Sequence, residues 1–135
     1  MQTVREKCWC DSDELADVCC APMLRGESQA STAQALMRSR YSAYVTGNES
    51  YLLATWDPDT RPAQLHLDER QRWLGLKIRH VEAGTEGCDH GVVEFVARFK
   101  IDGRGHRLHE ISKFRRTELG WVYVDGELVD KPPPS

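Results

Sequence analysis

The stretch KCWCDSDELADVCCAP gathers four of the chain's five cysteines, Cys8, Cys10, Cys19 and Cys20, into thirteen residues. The spacing C-x-C-x8-C-C offers two close pairs of sulfur donors joined by a short loop. Structural zinc takes four deprotonated soft ligands in a closed tetrahedron, and thiolates satisfy that need without redox chemistry. The intervening DSDELADV has room for a turn and about one helical turn, with Ser12 or Asp13 placed to cap it and Leu15 and Val18 turned inward. So few apolar groups cannot hold a fold together, so metal binding would supply this segment's folding free energy. Disulfides suit an odd cysteine count poorly, and unpaired buried thiols at this density would be unusual. Iron–sulfur proteins use other cysteine spacings. Trp9 is expected to cover the site or pack on the main domain. Cys88 and His90, in GTEGCDHG, are too few to close a second site.

A length of 135 residues fits one domain with a small appendage, and 40% hydrophobic with 29% charged residues is the composition of a folded globular chain. No run approaches the ~20 apolar residues of a membrane-spanning helix. MQTVREKCWCDSDE carries charge where a secretory leader would be apolar, so a cytoplasmic location with reduced thiols is expected. A net charge of −3 argues against nonspecific attraction to nucleic acid or anionic lipid.

Beyond Pro22, RGESQA reads as a linker, and Ser31 with Gln34 forms a capping-box pattern. Ala33, Leu36, Met37, Tyr41, Tyr44 and Val45 then recur at helical spacing, and Gly47 is placed to end the helix. Asn48 can cap a second helix through YLLATW, stopped at Asp57-Pro58, and LDERQRW predicts a short third one. From Trp73 the period becomes two. Leu74, Leu76 and Ile78 alternate with Lys77 and Arg79; Val93, Phe95, Ala97 and Phe99 with Glu94 and Arg98; Leu108, Glu110, Ser112 and Phe114 with His109, Lys113 and Arg115; GWVYVDG adds a fourth strand. Short turn-rich breaks predict an antiparallel meander, and helices followed by strands predict an α+β fold with the helices on one side of the sheet. The division is a cysteine segment over 1–27, an α+β domain over 28–130 and an extended, disordered proline-rich tail over 131–135.

Taken in order, ALMRSRYSAYV, YLLATW, WLGL, GVVEF, LHEISKF and GWVYVDG resemble the YchJ family of bacterial proteins, and the cysteine run ahead of them resembles a SEC-C zinc motif. The resemblance implies a cone-like domain of the nuclear-transport-factor and ketosteroid-isomerase type, a curved antiparallel sheet wrapped around helices. It also implies zinc on Cys8, Cys10, Cys19 and Cys20. Trp9 and Asp11 depart from the C-P-C-G-S form of the motif, and the second, C-terminal copy that some relatives carry is missing. A reaction is not implied.

Cone domains often enclose a pocket, and the strand LHEISKF would point Glu110 and Ser112 into it beside Leu108 and Phe114. A carboxylate there needs a partner. Arg38 and Arg40, with Tyr41 and Tyr44, lie on the facing helix, and an Arg–Glu pair across the pocket is the expected solution. Trp121, Tyr123 and Asp125 would form an aromatic wall with an acid at its rim. Glu110 could act as a general acid or base of raised pKa with Tyr41 or Tyr44 as donor. The favoured reading is a buried ion pair that docks helix on sheet, so no catalytic residue is assigned. His109 falls on the opposite face. Arg104, Arg107, Lys113, Arg115 and Arg116 form a basic run that a charged outer sheet face explains.

These observations favour a zinc-stabilised protein-interaction module, since SEC-C motifs are associated with docking to proteins. The alternative is small-molecule binding or catalysis around Glu110. A third reading, RNA or ribosome-associated binding, lacks an aromatic-interleaved basic signature.

Overall fold

The computed structural model describes residues 6–129, so the tail assigned to 131–135 and the last residue of 28–130 lie outside the described residues. After a single 3-10 turn over Ala16–Val18, three helices follow: α1 (Ala21–Leu24), α2 (Ala33–Thr46) and α3 (Glu49–Ala54). Pro22 in the first turn of α1 suits a position that needs no amide donor. The cap of α2 is Thr32, one residue beyond Ser31; its Oγ1 accepts from the Ala35 amide at 3.0 Å. Gly47 ends α2 in the left-handed region at φ 73°, and Asn48 caps α3 by accepting from the Tyr51 amide at 3.1 Å.

LDERQRW does not form a helix. Asp68 instead accepts from the Arg70 amide at 2.9 Å, turning the chain into a strand that begins at Gln71. Four strands, β1 (Gln71–Ala83), β2 (His90–Ile101), β3 (Arg104–Thr117) and β4 (Gly120–Leu128), form one antiparallel sheet in the order β1-β2-β3-β4. This is the α+β meander the periodicity predicts. Register breaks at Trp73/Gly75 and Ile78/His80 on β1 modify it, each leaving one residue out of the ladder. Leu74 is one of them and stands 56% exposed rather than inside.

Val93, Phe95, Ala97, Ser112 and Phe114 line the inner face of the sheet and are buried, as are Ala33, Leu36, Met37 and Tyr41 on α2. Cys8, Cys10 and Cys20 belong to that same cluster. The cysteine segment therefore does not stand apart; its sulfurs complete the wall of the core. Val18, expected to turn inward, is 70% exposed, because the 3-10 turn presents it to solvent while Ala16 packs against the core.

Candidate metal centre and inner polar cluster

The sulfurs of Cys8, Cys10, Cys19 and Cys20 all lie within 4.8 Å of one another. Cys10 and Cys19 are 3.6 Å apart and Cys19 and Cys20 3.8 Å, too far for disulfides, and all five cysteines are free. Four ligands at metal–sulfur bonds of about 2.3 Å would set sulfur–sulfur edges near ~3.8 Å in a tetrahedron. The Cys10–Cys19 and Cys19–Cys20 edges fit, and the remaining edges stay within 4.8 Å. Without a cation the four cannot all ionise: contact with Cys10 and Cys20 holds the Cys8 thiol far below its usual range, burial pushes Cys19 up to about 11, and contacts with Cys10 and Cys8 raise Cys20. A divalent ion would reverse that balance by stabilising every thiolate at once.

Three polar side chains surround the sulfurs. Ser12 Oγ lies 3.2 Å from Cys19 Sγ and Ser42 Oγ 3.8 Å from Cys8 Sγ. Arg38 donates to the Cys10 carbonyl at 2.9 Å and its Nη1 lies 3.8 Å from the Cys10 sulfur. Four thiolates around one divalent ion carry net negative charge, so a guanidinium and two hydroxyl donors are suited to hold it.

The second cluster lies under α2 and α3. Glu110 accepts from Ser112 Oγ at 2.5 Å and from the Tyr123 hydroxyl at 3.2 Å. Its side chain lies over Gly126, where a Cβ would come within 2.0 Å of the carboxylate, so a side chain at 126 would displace Glu110 from this position. Arg40 is buried, donates to the Leu52 carbonyl at 2.8 Å and Thr55 Oγ1 at 2.7 Å, and sits 4.7 Å from the Tyr123 ring and 5.1 Å from that of Trp56. Burial lowers its pKa, opposed by the neighbouring tyrosines and Glu110. Tyr44 adjoins Arg40, and burial raises its pKa. The expected Arg–Glu ion pair is not formed: among the described residues no arginine lies within salt-bridge distance of Glu110. Hydroxyls satisfy the acid; a carbonyl, a hydroxyl and aromatic faces satisfy the base.

Several expected members lie elsewhere. Arg38 is turned to the cysteines, and Tyr41 packs edge-on against Trp73 with its pKa raised by burial. Trp121 donates to the Ser31 carbonyl at 3.3 Å, and its indole lines an open groove of about 1140 Å³ between α3 and the β3–β4 hairpin. Asp125 is exposed opposite Lys113 on the outer face, because a register shift between Lys113 and Phe114 leaves Val124 unpaired and reverses the alternation. His109 lies on that face as expected, 2.7 Å from Glu94. Cys88 Sγ lies 3.3 Å from Thr85 Oγ1, apart from the four-cysteine cluster. A second concavity, about 530 Å³, borders Asp11 and the outer face of β1 and β2.

Residues 32–126 match the family model described as YchJ, middle NTF2-like domain. The chain belongs to the YchJ family. A UPF0225 protein of Chromobacterium violaceum is 54% identical, over 90% of this chain and 93% of its own length. One from Streptomyces coelicolor is 47% identical, with 91% and 96% covered. The solution structure of a SEC-C motif containing protein from Rhodopseudomonas palustris superposes with a TM-score of 0.80 at 35% identity, covering 91% of this chain and 98% of the other. A crystal structure of another, from Psychrobacter arcticus, gives 0.69 at 26% identity, with 90% and 77% covered.

Within the family motif, Asp11 occupies the place where SEC-C segments often carry glycine. It takes the left-handed conformation glycine would favour, with φ 61°, and its carboxylate accepts from the Leu76 amide at 2.9 Å. Asp11 is thus a tether from the cysteine loop to β1. Sequence reasoning missed it, along with Ser12 and Ser42 beside the sulfurs and Trp56 beside Arg40. For Asp11 the signal was available: an acid replacing glycine at a turn needs a partner for its carboxylate. Among the described residues no helix is long and apolar enough to cross a membrane.

Proposed function

We propose that the chain is a zinc-stabilised protein-docking module, with zinc held in a structural role by Cys8, Cys10, Cys19 and Cys20. Soft thiolates in tetrahedral spacing favour zinc over oxygen-seeking cations. The observation that carries the docking reading is that both clusters able to do chemistry have their groups already engaged. Four thiolates leave a tetrahedral ion no position for water or substrate. Glu110 is engaged by Ser112 and Tyr123 and lines neither the groove nor the smaller concavity. Surface is what remains, and the SEC-C likeness supports the same reading by analogy.

Elemental analysis with thiol titration, on protein purified without added metal, tests the zinc. One zinc per chain and rapid reaction of Cys88 alone is the expected result; five reactive thiols without metal would refute it. Cross-linking of the intact chain inside cells tests the docking. A discrete polypeptide partner is expected, and recovery of nothing but the chain itself, at full zinc occupancy, would end the proposal.

A further inference from the structure

The β2–β3 register sets Arg98 directly opposite Arg107, and the β1–β2 register sets Arg72 opposite Lys100. All four side chains are exposed, and by strand register all four lie on the outer face. Like charges directly opposite one another destabilise a sheet. Lys77, paired with Val96, extends the same face, and Arg79 stands at the adjoining bulge. Arg72, Lys77, Arg79, Arg98 and Lys100 form no ion pair with any described residue, although the chain as a whole carries net charge −3. The acids of the outer face, Glu82 on β1, Glu94 on β2 and Asp125 and Glu127 on β4, lie toward its opposite end, Glu82 and Glu94 close to His80 and His109. At the basic end the surface is dished rather than flat: Gly75 and Val96 line the concavity of about 530 Å³, with Arg38, Lys77, Arg98 and Arg107 around them and Asp11 the one acid. That acid is already occupied by the Leu76 amide.

We infer that this basic face of β1–β3, beside the cysteine loop, is the docking surface, and that its partner is an acidic polypeptide segment carrying an apolar residue. The inference rests on the docking reading above and names its site and partner. Charge complementarity selects an anionic partner. Leu74, 56% exposed at the edge of the patch, offers an apolar contact that a phosphate backbone would not use. Among the described residues no phenylalanine, tyrosine or tryptophan lies on this face beside the basic residues, which separates the surface from a single-strand nucleic-acid platform.

The test uses the full zinc-bound chain and fluorescence anisotropy with three probes: a short labelled Glu/Asp peptide with a central leucine, the same peptide with lysine at every acidic position, and oligouridylate of matching charge. Binding of the acidic peptide is expected, weakening as salt rises. Arg98→Glu combined with Lys77→Glu should weaken it by about tenfold or more and create binding to the lysine peptide; Leu74→Ser should weaken it by a smaller factor. No binding of the acidic peptide, equal binding by the charge-reversed chain, or tighter binding of oligouridylate would each overturn the inference. In the in-cell cross-linking experiment, a partner retained by Arg98→Glu/Lys77→Glu would leave the docking reading standing and remove this surface from it.

Discussion

The cysteine loop and the Glu110–Arg40 cluster both bury polar chemistry against the same helix, yet they resolve it in opposite ways. Around Glu110, each group finds its partner within the chain: hydroxyls donate to the acid, while a carbonyl, a hydroxyl and aromatic faces receive the guanidinium. No buried side-chain nitrogen or oxygen among the described residues lacks a hydrogen bond. The four sulfurs crowd within 4.8 Å of one another, and their neighbours push the Cys8 thiol down and the Cys20 thiol up, so they cannot all ionise together. One cluster is self-contained; the other calls for a cation from outside. That difference separates a polar cluster that specifies docking from one that stores folding free energy in a ligand.

Removing a sulfur should break the comparison most severely. Cys20→Ser is expected to abolish zinc retention, with of order 10 kcal/mol of metal-binding free energy at stake, and to expose the amides of residues 6–20 to hydrogen exchange while β2 and β3 stay protected. Protection loss spreading evenly through the sheet would mean that the two regions are not separable. Arg40→Met comes next: it strands the Leu52 carbonyl and two aromatic faces, and denaturant unfolding should register a loss of about 2–4 kcal/mol with zinc content unchanged. Arg38→Met, two residues away, should do the reverse. Competition with a chromophoric chelator is expected to show zinc affinity lowered about 10–100-fold, at nearly unchanged sheet stability. Glu110→Gln is the mildest, about 1 kcal/mol from two weakened charge-assisted bonds. A much larger cost there would show that the carboxylate's charge, and not its shape, holds helix to sheet.

The contrast between Arg38 and Arg40 also shows what was legible in the sequence. Residues two apart on a helix project from nearly opposite sides, so the pair could not both reach Glu110; the periodicity that placed α2 already contained that answer. The gathering of four sulfurs within metal-binding distance was legible because four soft donors in one short stretch have few other uses. The inner faces of β2 and β3 were legible because strict alternation survives along them. Leu74 and Asp125 were misplaced for a single reason. A bulge inserts one residue and inverts every side chain beyond it, and nothing in RWLGLKIRH or WVYVDG marks which residue will leave the ladder. Ser42 as a partner of the sulfurs was invisible for another reason: it comes from α2, thirty-four positions away from Cys8 in the chain.

Asp11 links the two halves of that account in one more respect. It immediately follows Cys10, and its carboxylate occupies the Leu76 amide on the outermost strand. A border strand with a free amide recruits other chains, and proteins commonly place a charge there to prevent it. If zinc is held as proposed, its loss would unseat this guard and leave the polypeptide prone to self-association, costing solubility as well as shape.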